Sequence, residues 1–194
     1  MPNVQVYSLF TDFDINLFKG GKHYLLYDKL GSHIVEVDGV AGTYFAVWAP
    51  SAKAVSVVGN FNLWNAEEHQ LNVRWDSSGI WEGFIPNIGK GEIYKYKIQS
   101  NNNDIWTEKA DPFARYCEHP PNTASIIWTA EHNWKDDAWM GYRKDKNGLD
   151  KPYSVYEVHL GSWKKNAENK FLTYKEFAKD LVEYVKEMGY THVE

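Results

Sequence analysis

The sequence predicts a mainly β protein: an immunoglobulin-like antiparallel β-sandwich, followed by the truncated start of a (β/α)8 barrel. Three observations carry this reading. Between His33 and Trp128, about eight short strand-like segments recur roughly every ten residues with no long helix between them, the pattern of a sandwich. Turn residues punctuate those segments: Val37-Asp38-Gly39-Val40, Ser77-Ser78-Gly79 and Asn101-Asn102-Asn103. After Pro152 the pattern changes to strand, helix, strand, which is a βαβ unit and demands a parallel sheet covered on both faces.

Taken in order, residues 1–32 form a short helical N-terminal segment. Phe10, Phe13 and Leu17 fall at i, i+3 and i+7, so a short helix should lay its phenylalanines on a neighbour. Gly20-Gly21 ends it, and Tyr24-Leu25-Leu26-Tyr27 makes a further turn of helix before Gly31. The sandwich occupies residues 33–129. Its expected strands are His33–Asp38, Thr43–Ala49, Lys53–Gly59, Gln70–Trp75, Ile80–Ile85, Glu92–Gln99, Asp104–Thr107 and Ala124–Trp128. Tyr94-Lys95-Tyr96-Lys97-Ile98 alternates, with the aromatics and Ile98 on one face and the lysines on the other. Trp48, Trp75 and Trp81 sit inside strand patterns and are expected in the core, as are Tyr94 and Tyr96.

Residues 130–152 read as a polar linker ending in Gly148 and Pro152, so the domain boundary falls there. In residues 153–194, Ser154–Leu160 reads as one strand. Thr173 and Glu176 form a capping box that opens a helix. Phe177, Leu181, Tyr184, Val185 and Met188 fall on one face of that helix, and Gly189 stops it. Tyr190-Thr191-His192-Val193 begins a second strand. The 44 residues from Lys151 onward amount to about one and a half repeats of a barrel that needs about 250 residues. The expectation is a cut through a larger domain, whose unpaired parallel strand is an exposed edge open to self-association.

Composition excludes several classes. A net charge of −5 with no Lys/Arg cluster argues against nucleic-acid binding. No apolar run approaches the ~20 residues that cross a bilayer, and the start lacks a signal-peptide pattern, so a cytoplasmic protein without a membrane partner is expected. One cysteine, Cys117, cannot form an internal disulfide. The seven histidines include no His-Glu-x-x-His and no pairing with Cys117, so no metal is expected. Phosphate-binding glycine motifs and the Gly-x-Ser-x-Gly elbow are absent too, so no cofactor is expected. The aromatic fraction, 16%, is high; it fits either a compact β core or a platform for a ligand with flat C–H faces, such as a sugar.

Particular stretches resemble a known family. Val37-Asp38-Gly39-Val40, Phe45-Ala46-Val47-Trp48-Ala49-Pro50, Val58-Gly59-Asn60-Phe61-Asn62, Gly79-Ile80-Trp81-Glu82, Tyr94-Lys95-Tyr96 and Lys109-Ala110-Asp111-Pro112 closely resemble the N-terminal sandwich of glycogen branching enzymes, a carbohydrate-binding module of family 48. Tyr156-Glu157-Val158-His159-Leu160-Gly161-Ser162-Trp163 and Met188-Gly189-Tyr190-Thr191-His192-Val193-Glu194 look like the first βαβ of the family 13 glycoside hydrolase barrel in those enzymes. The resemblance implies that the intact enzyme cleaves an α-1,4 glucan bond and rejoins the segment as an α-1,6 branch, by a retaining mechanism between two carboxyl groups about 5 Å apart. Those acids belong to later barrel strands in the family, so no catalytic residue carries over to this chain, which is expected to bind glucan at most. Two other readings stay open: a non-catalytic glycan-binding regulatory module, and the N-terminal part of a related debranching or trehalose-releasing hydrolase.

By the same resemblance, Trp64 and Trp106 stack on the rings of an α-1,4-glucan such as glycogen, starch or maltodextrin. Lys95, in the Tyr-Lys-Tyr position, bonds sugar hydroxyls, while Asn122-Thr123-Ala124-Ser125 only loosely matches the loop that completes such sites. The competing role for both tryptophans is to cap the sandwich core. Ser162 and Trp163 follow the first barrel strand on the side where barrel active sites form, and are expected to border the cleft of the intact enzyme. Glu157 and His159 share the other face of that strand, but with no second carboxylate near they specify no mechanism.

Overall fold

A computed structural model describes residues 3–129 and 131–194. Met1 and Pro2, at the head of the expected N-terminal segment, and Ala130, where the expected linker begins, lie outside the described residues. The chain divides into two compact units between His132 and Asn133.

The first unit is a sandwich of two antiparallel sheets. One sheet runs in the order β1 (Gly31–Val37), β2 (Val40–Trp48), β5 (Ile80–Pro86), β4 (Asn72–Val73). The other runs β3 (Ala52–Gly59), β6 (Ile93–Ser100), β9 (Ser125–Ile126), β8 (Tyr116–Cys117), with β7 (Trp106–Lys109) also paired to β6. Asp38 and Gly39 both take positive φ, 50° and 77°, which is what a two-residue hairpin between β1 and β2 requires. Between the sheets lie Phe45, Val47, Val55, Val57, Trp81, Ile85, Tyr94 and Tyr96, all buried. The two tyrosine hydroxyls would be stranded there, but both reach the Asp111 carboxylate, at 2.6 Å from Tyr94 and 3.3 Å from Tyr96. Burial pushes the Asp111 carboxyl above the usual range, and these hydrogen bonds only partly offset it.

The N-terminal segment forms a third layer. Gln5 bridges Phe84 of β5 through a pair of backbone hydrogen bonds, and Phe10, Ile15 and Leu30 pack on Tyr44, Ala46 and Ile80 across the outer face of the first sheet. That explains why β2 is buried on both faces from Gly42 to Val47. Helix α1 (Asp12–Lys19) exists as the spacing predicts, but it presents a different face. The Thr11–Asp14 capping box starts the helix at Asp12, leaving Phe10 outside the helical period. Ile15 is therefore the buried residue, Phe18 meets Trp48 edge-on at 6.0 Å, and Phe13 is 69% exposed.

Several strand expectations need correction. Gln70–Trp75 shrinks to β4, because Gln70 bridges Ser56 on the opposite sheet and the chain changes sheets there. Asp104–Thr107 shifts to Trp106–Lys109, and the two-residue β8 is not signalled in the sequence at all. Of the three tryptophans expected in the core, only Trp81 is buried. Trp75 lies past the end of β4 and is 84% exposed, and Trp48 ends β2, where Phe18 meets it edge-on and its indole N–H donates to the Ser78 carbonyl, leaving it 55% exposed.

The second unit holds α2 (Asp137–Lys146), β10 (Val155–Tyr156), α3 (Tyr174–Glu187) and β11 (His192–Val193). Helix α2 falls in the expected linker; it lacks an apolar stripe, but Asp137 in its first turn and Arg143, Lys144 and Lys146 in its last suit the helix dipole. Thr173 and Glu176 cap α3 reciprocally, worth about 1 kcal/mol. Gly189 follows it with φ 76°. Strands β10 and β11 pair in parallel, Val155 with His192 and Tyr156 with Val193. The strand expected over Ser154–Leu160 is cut to two residues because β11 offers only two partners. In this unit only Phe177 and Leu181 are buried apolar residues among those described, while Tyr153, Phe171 and Met188 are exposed.

Candidate functional site

The register of β6 organises the site. Tyr94 and Tyr96 point into the core, so Lys95 and Lys97 point outward, paired with Val58 and Ser56 of β3. On the other edge of β6, Gln99 pairs with Trp106 and Lys97 with Glu108, which places those side chains on the same outer face. The loop after β3 then crosses this face and delivers Trp64.

That loop is held from beneath by Asn62. Its amide Nδ2 donates to Val57 O and His69 Nδ1, both at 2.9 Å, and its Oδ1 accepts the Gly59 N–H at 3.0 Å. An amide can only donate from nitrogen, so His69 Nδ1 is the acceptor and the ring is neutral. Above Asn62 the backbone turns left-handed twice, Leu63 at φ 52° and Trp64 at φ 62°. Each position is costly for a non-glycine residue, and such strain persists only where surroundings impose it. Here Asn62 and the bond from Trp64 N–H to Gly59 O, 2.9 Å, impose it. The Trp64 indole N–H donates to Asn60 Oδ1 at 3.0 Å. The ring is thereby fixed at one edge, half-buried, with its N–H already committed.

Two grooves result. One, of about 370 Å³, is lined by Trp64, Glu67, Lys97 and Trp106. The other, of about 360 Å³, is lined by Trp64, Lys95, Glu118, Asn122 and Thr123. Of the three residues the sequence nominates, Trp64 and Trp106 therefore meet in one groove, while Lys95 lines its neighbour with Trp64 as the shared wall. Lys97, Glu67 and the positioning residues Asn60 and Asn62 are not among the contacts the sequence nominates. The signal for Lys97 was present, since the alternation that turns Lys95 outward turns Lys97 outward as well. Among the described residues no cluster of three or more His, Cys, Asp or Glu could hold a metal ion. Among the described residues no helix is long and apolar enough to cross a membrane.

Burial pushes the His69 pKa down from 6.5, against the opposing charge of Glu68. A lowered histidine pKa means the unfolded chain binds the proton more readily. The contribution of neutral His69 is complete above about pH 6.5 and is lost as pH falls through the depressed folded value. Between pH 7 and 5, the melting temperature of the chain should fall more steeply than that of His69→Gln, read by circular dichroism; parallel slopes would contradict this.

In the second unit, Ser162 is exposed and its Oγ lies 2.8 Å from His159 Nδ1. Trp163 packs edge-on to Phe177 and Tyr184 of α3, and its indole N–H donates to the Tyr156 hydroxyl at 2.8 Å. Neither lines the groove of about 680 Å³ in this unit, which is walled by Trp139, Leu149, Tyr153, Val155 and Val193.

Residues 29–114 match the family model for carbohydrate-binding module 48, the isoamylase N-terminal domain. Across 184 residues and 95% of its length, the chain is 52% identical to a 1,4-alpha-glucan branching enzyme GlgB of Albidiferax ferrireducens. The chain matches the N-terminal region of a glycogen branching enzyme. A second GlgB, from Aquifex aeolicus, is 48% identical over 97% of the chain. The chain spans only about 30% of the length of these relatives, 29% and 30% respectively. The fold is also that of a Klebsiella pneumoniae pullulanase solved with maltotriose, at a TM-score of 0.55 and 20% identity, over 85% of this chain and 17% of that one. The residues that match the module 48 model run from Lys29, in the N-terminal layer, through the loop carrying Trp64 and both outward lysines to Ala114, past Trp106.

Proposed function

We propose that this chain is the α-glucan-binding N-terminal region of a 1,4-alpha-glucan branching enzyme of glycogen biosynthesis, with Trp64, Trp106 and Lys95 as glucan contacts. The observation that carries it is the pair Trp64 and Trp106 lining one open groove on a strand face that also presents lysines. A pyranose ring offers polarised C–H groups to an indole face, and its hydroxyls need donors and acceptors beside it. Relatives named as branching enzymes along nearly the whole chain support the parent activity. In that parent the α-1,4 cleavage and α-1,6 rejoining require a carboxylate pair, which we assign to the part of the enzyme beyond these residues.

We further infer that the second unit is the start of the catalytic barrel, with Ser162 and Trp163 bordering its cleft. Its support is the parallel β10–β11 pairing and the many apolar side chains left exposed in a unit with two buried ones. In the parent enzyme those faces are covered by the remaining barrel; in isolation the unpaired parallel edge is a route to self-association.

The test is direct titration of the chain with maltoheptaose by calorimetry. Trp64→Ala should weaken binding at least tenfold, since it removes the stacking surface shared by both grooves. Trp64→Phe should retain most of it, because the indole N–H is spent on Asn60. Unchanged binding in Trp64→Ala would sink the reading.

A further inference from the structure

We propose that Lys97 is a second hydroxyl-binding lysine and that Trp64 is a ridge between two glucosyl subsites, so that one α-glucan chain is gripped on both sides of the indole. The proposal rests on the glucan-binding reading and adds to it Lys97 as a hydroxyl donor and the division of the site into two subsites at Trp64.

Lys95 and Lys97 are two residues apart on one strand face, about 6–7 Å along β6. Each lies in its own groove, and each groove pairs its lysine with a carboxylate: Lys97 with Glu67, Lys95 with Glu118. Vicinal sugar hydroxyls both donate and accept, so a lysine and a glutamate across a small groove satisfy a diol from both sides. The volumes, about 370 and 360 Å³, lie at the small end of ligand pockets and suit short stretches of a chain. Lys97 Nζ sits 3.6 Å from Glu108 Oε1, a long and partly exposed pair that keeps the ammonium over the strand while leaving hydrogens to give. The wall between the grooves is rigid, because the Trp64 ring is tied to Asn60 and its backbone to Gly59. A ligand occupying both grooves must cross the indole, which places the stacked sugar in the middle of the gripped segment.

The experiment titrates the 194-residue chain and its variants with maltoheptaose and maltotriose, with thermal melting as the fold control. Lys97→Met keeps the aliphatic stem and loses the donor; it should weaken maltoheptaose binding about tenfold or more, as for one charged hydrogen bond, with melting unchanged. Lys97→Arg should recover most of that loss. In the unsubstituted chain, amide chemical-shift changes on adding maltoheptaose should appear together at Lys97 and Glu108 and at Lys95 and Asn122. This second readout holds even if the methionine variant melts early. Equal maltoheptaose affinity in Lys97→Met, or shifts confined to the Lys95 side, would overturn the two-subsite proposal while Trp64→Ala still showed the basic reading to be sound. Loss of effect at Trp64→Ala as well would remove both.

Discussion

Arg74→Ala should lower the stability of the sandwich unit by about 3–5 kcal/mol, the cost of leaving buried carboxylates without their counter-charge. Arg74 and Glu82 side chains are 7% and 9% exposed, and Arg74 Nη1 meets Glu82 Oε1 at 2.5 Å, while Nε meets Asp76 Oδ2 at 2.8 Å. Burial would depress the guanidinium pKa, but the bonds to Asp76 and Glu82 outweigh it and raise it. The other oxygen of Glu82 accepts from the Tyr44 hydroxyl and from Ser8 Oγ. Because Ser8 and Phe10 belong to the N-terminal layer and Phe10 lies under the guanidinium, the same cluster pins that layer to the sheet. In the variant, melting should drop by roughly 10 °C or more, and limited proteolysis should release residues 3–30 first. A triple change, Arg74→Met with Asp76→Asn and Glu82→Gln, should recover much of the loss, because the guanidinium and both carboxylates it meets are then removed together. A single variant that melts like the parent would show that the cluster contributes nothing to stability.

Gly59→Ala should be nearly as damaging and should also abolish glucan binding. The backbone at Gly59 is extended, so the problem is space and not φ. An added Cβ would sit 2.2 Å from the Ile93 carbonyl oxygen and 2.6 Å from the Phe61 ring. The carbonyl belongs to β6 and cannot yield without opening the Gly59–Tyr94 pairing. A cost of about 3 kcal/mol is expected, at the upper end of overpacking. Gly59 also accepts from Trp64 N–H and donates to Asn62, so the loop bearing the indole should move with it. Gly89→Ala, where an added Cβ meets nothing within 4 Å, is the control and should melt and bind as the parent does. Undisturbed maltoheptaose affinity in Gly59→Ala would show that Trp64 does not depend on this close approach.

What could be read from local sequence was whatever depends on local periodicity and turn chemistry. The Asp38-Gly39 hairpin, the Tyr94–Ile98 alternation and the Thr173–Glu176 cap all follow from residues within a few positions of one another. The register of alternation was enough to turn Lys95 outward, and motif resemblance nominated Trp64 and Trp106. Only the tertiary structure decided that Trp75 and Trp48 are exposed, that Ile15 and not Phe13 is the buried helix residue, and that Lys97 joins the two tryptophans while Lys95 lies behind one of them. The physical reason is common to all three. Burial and groove membership depend on what a distant segment covers, here the N-terminal layer over one sheet and the Asn62-pinned loop over the other, and no pattern within a strand encodes that.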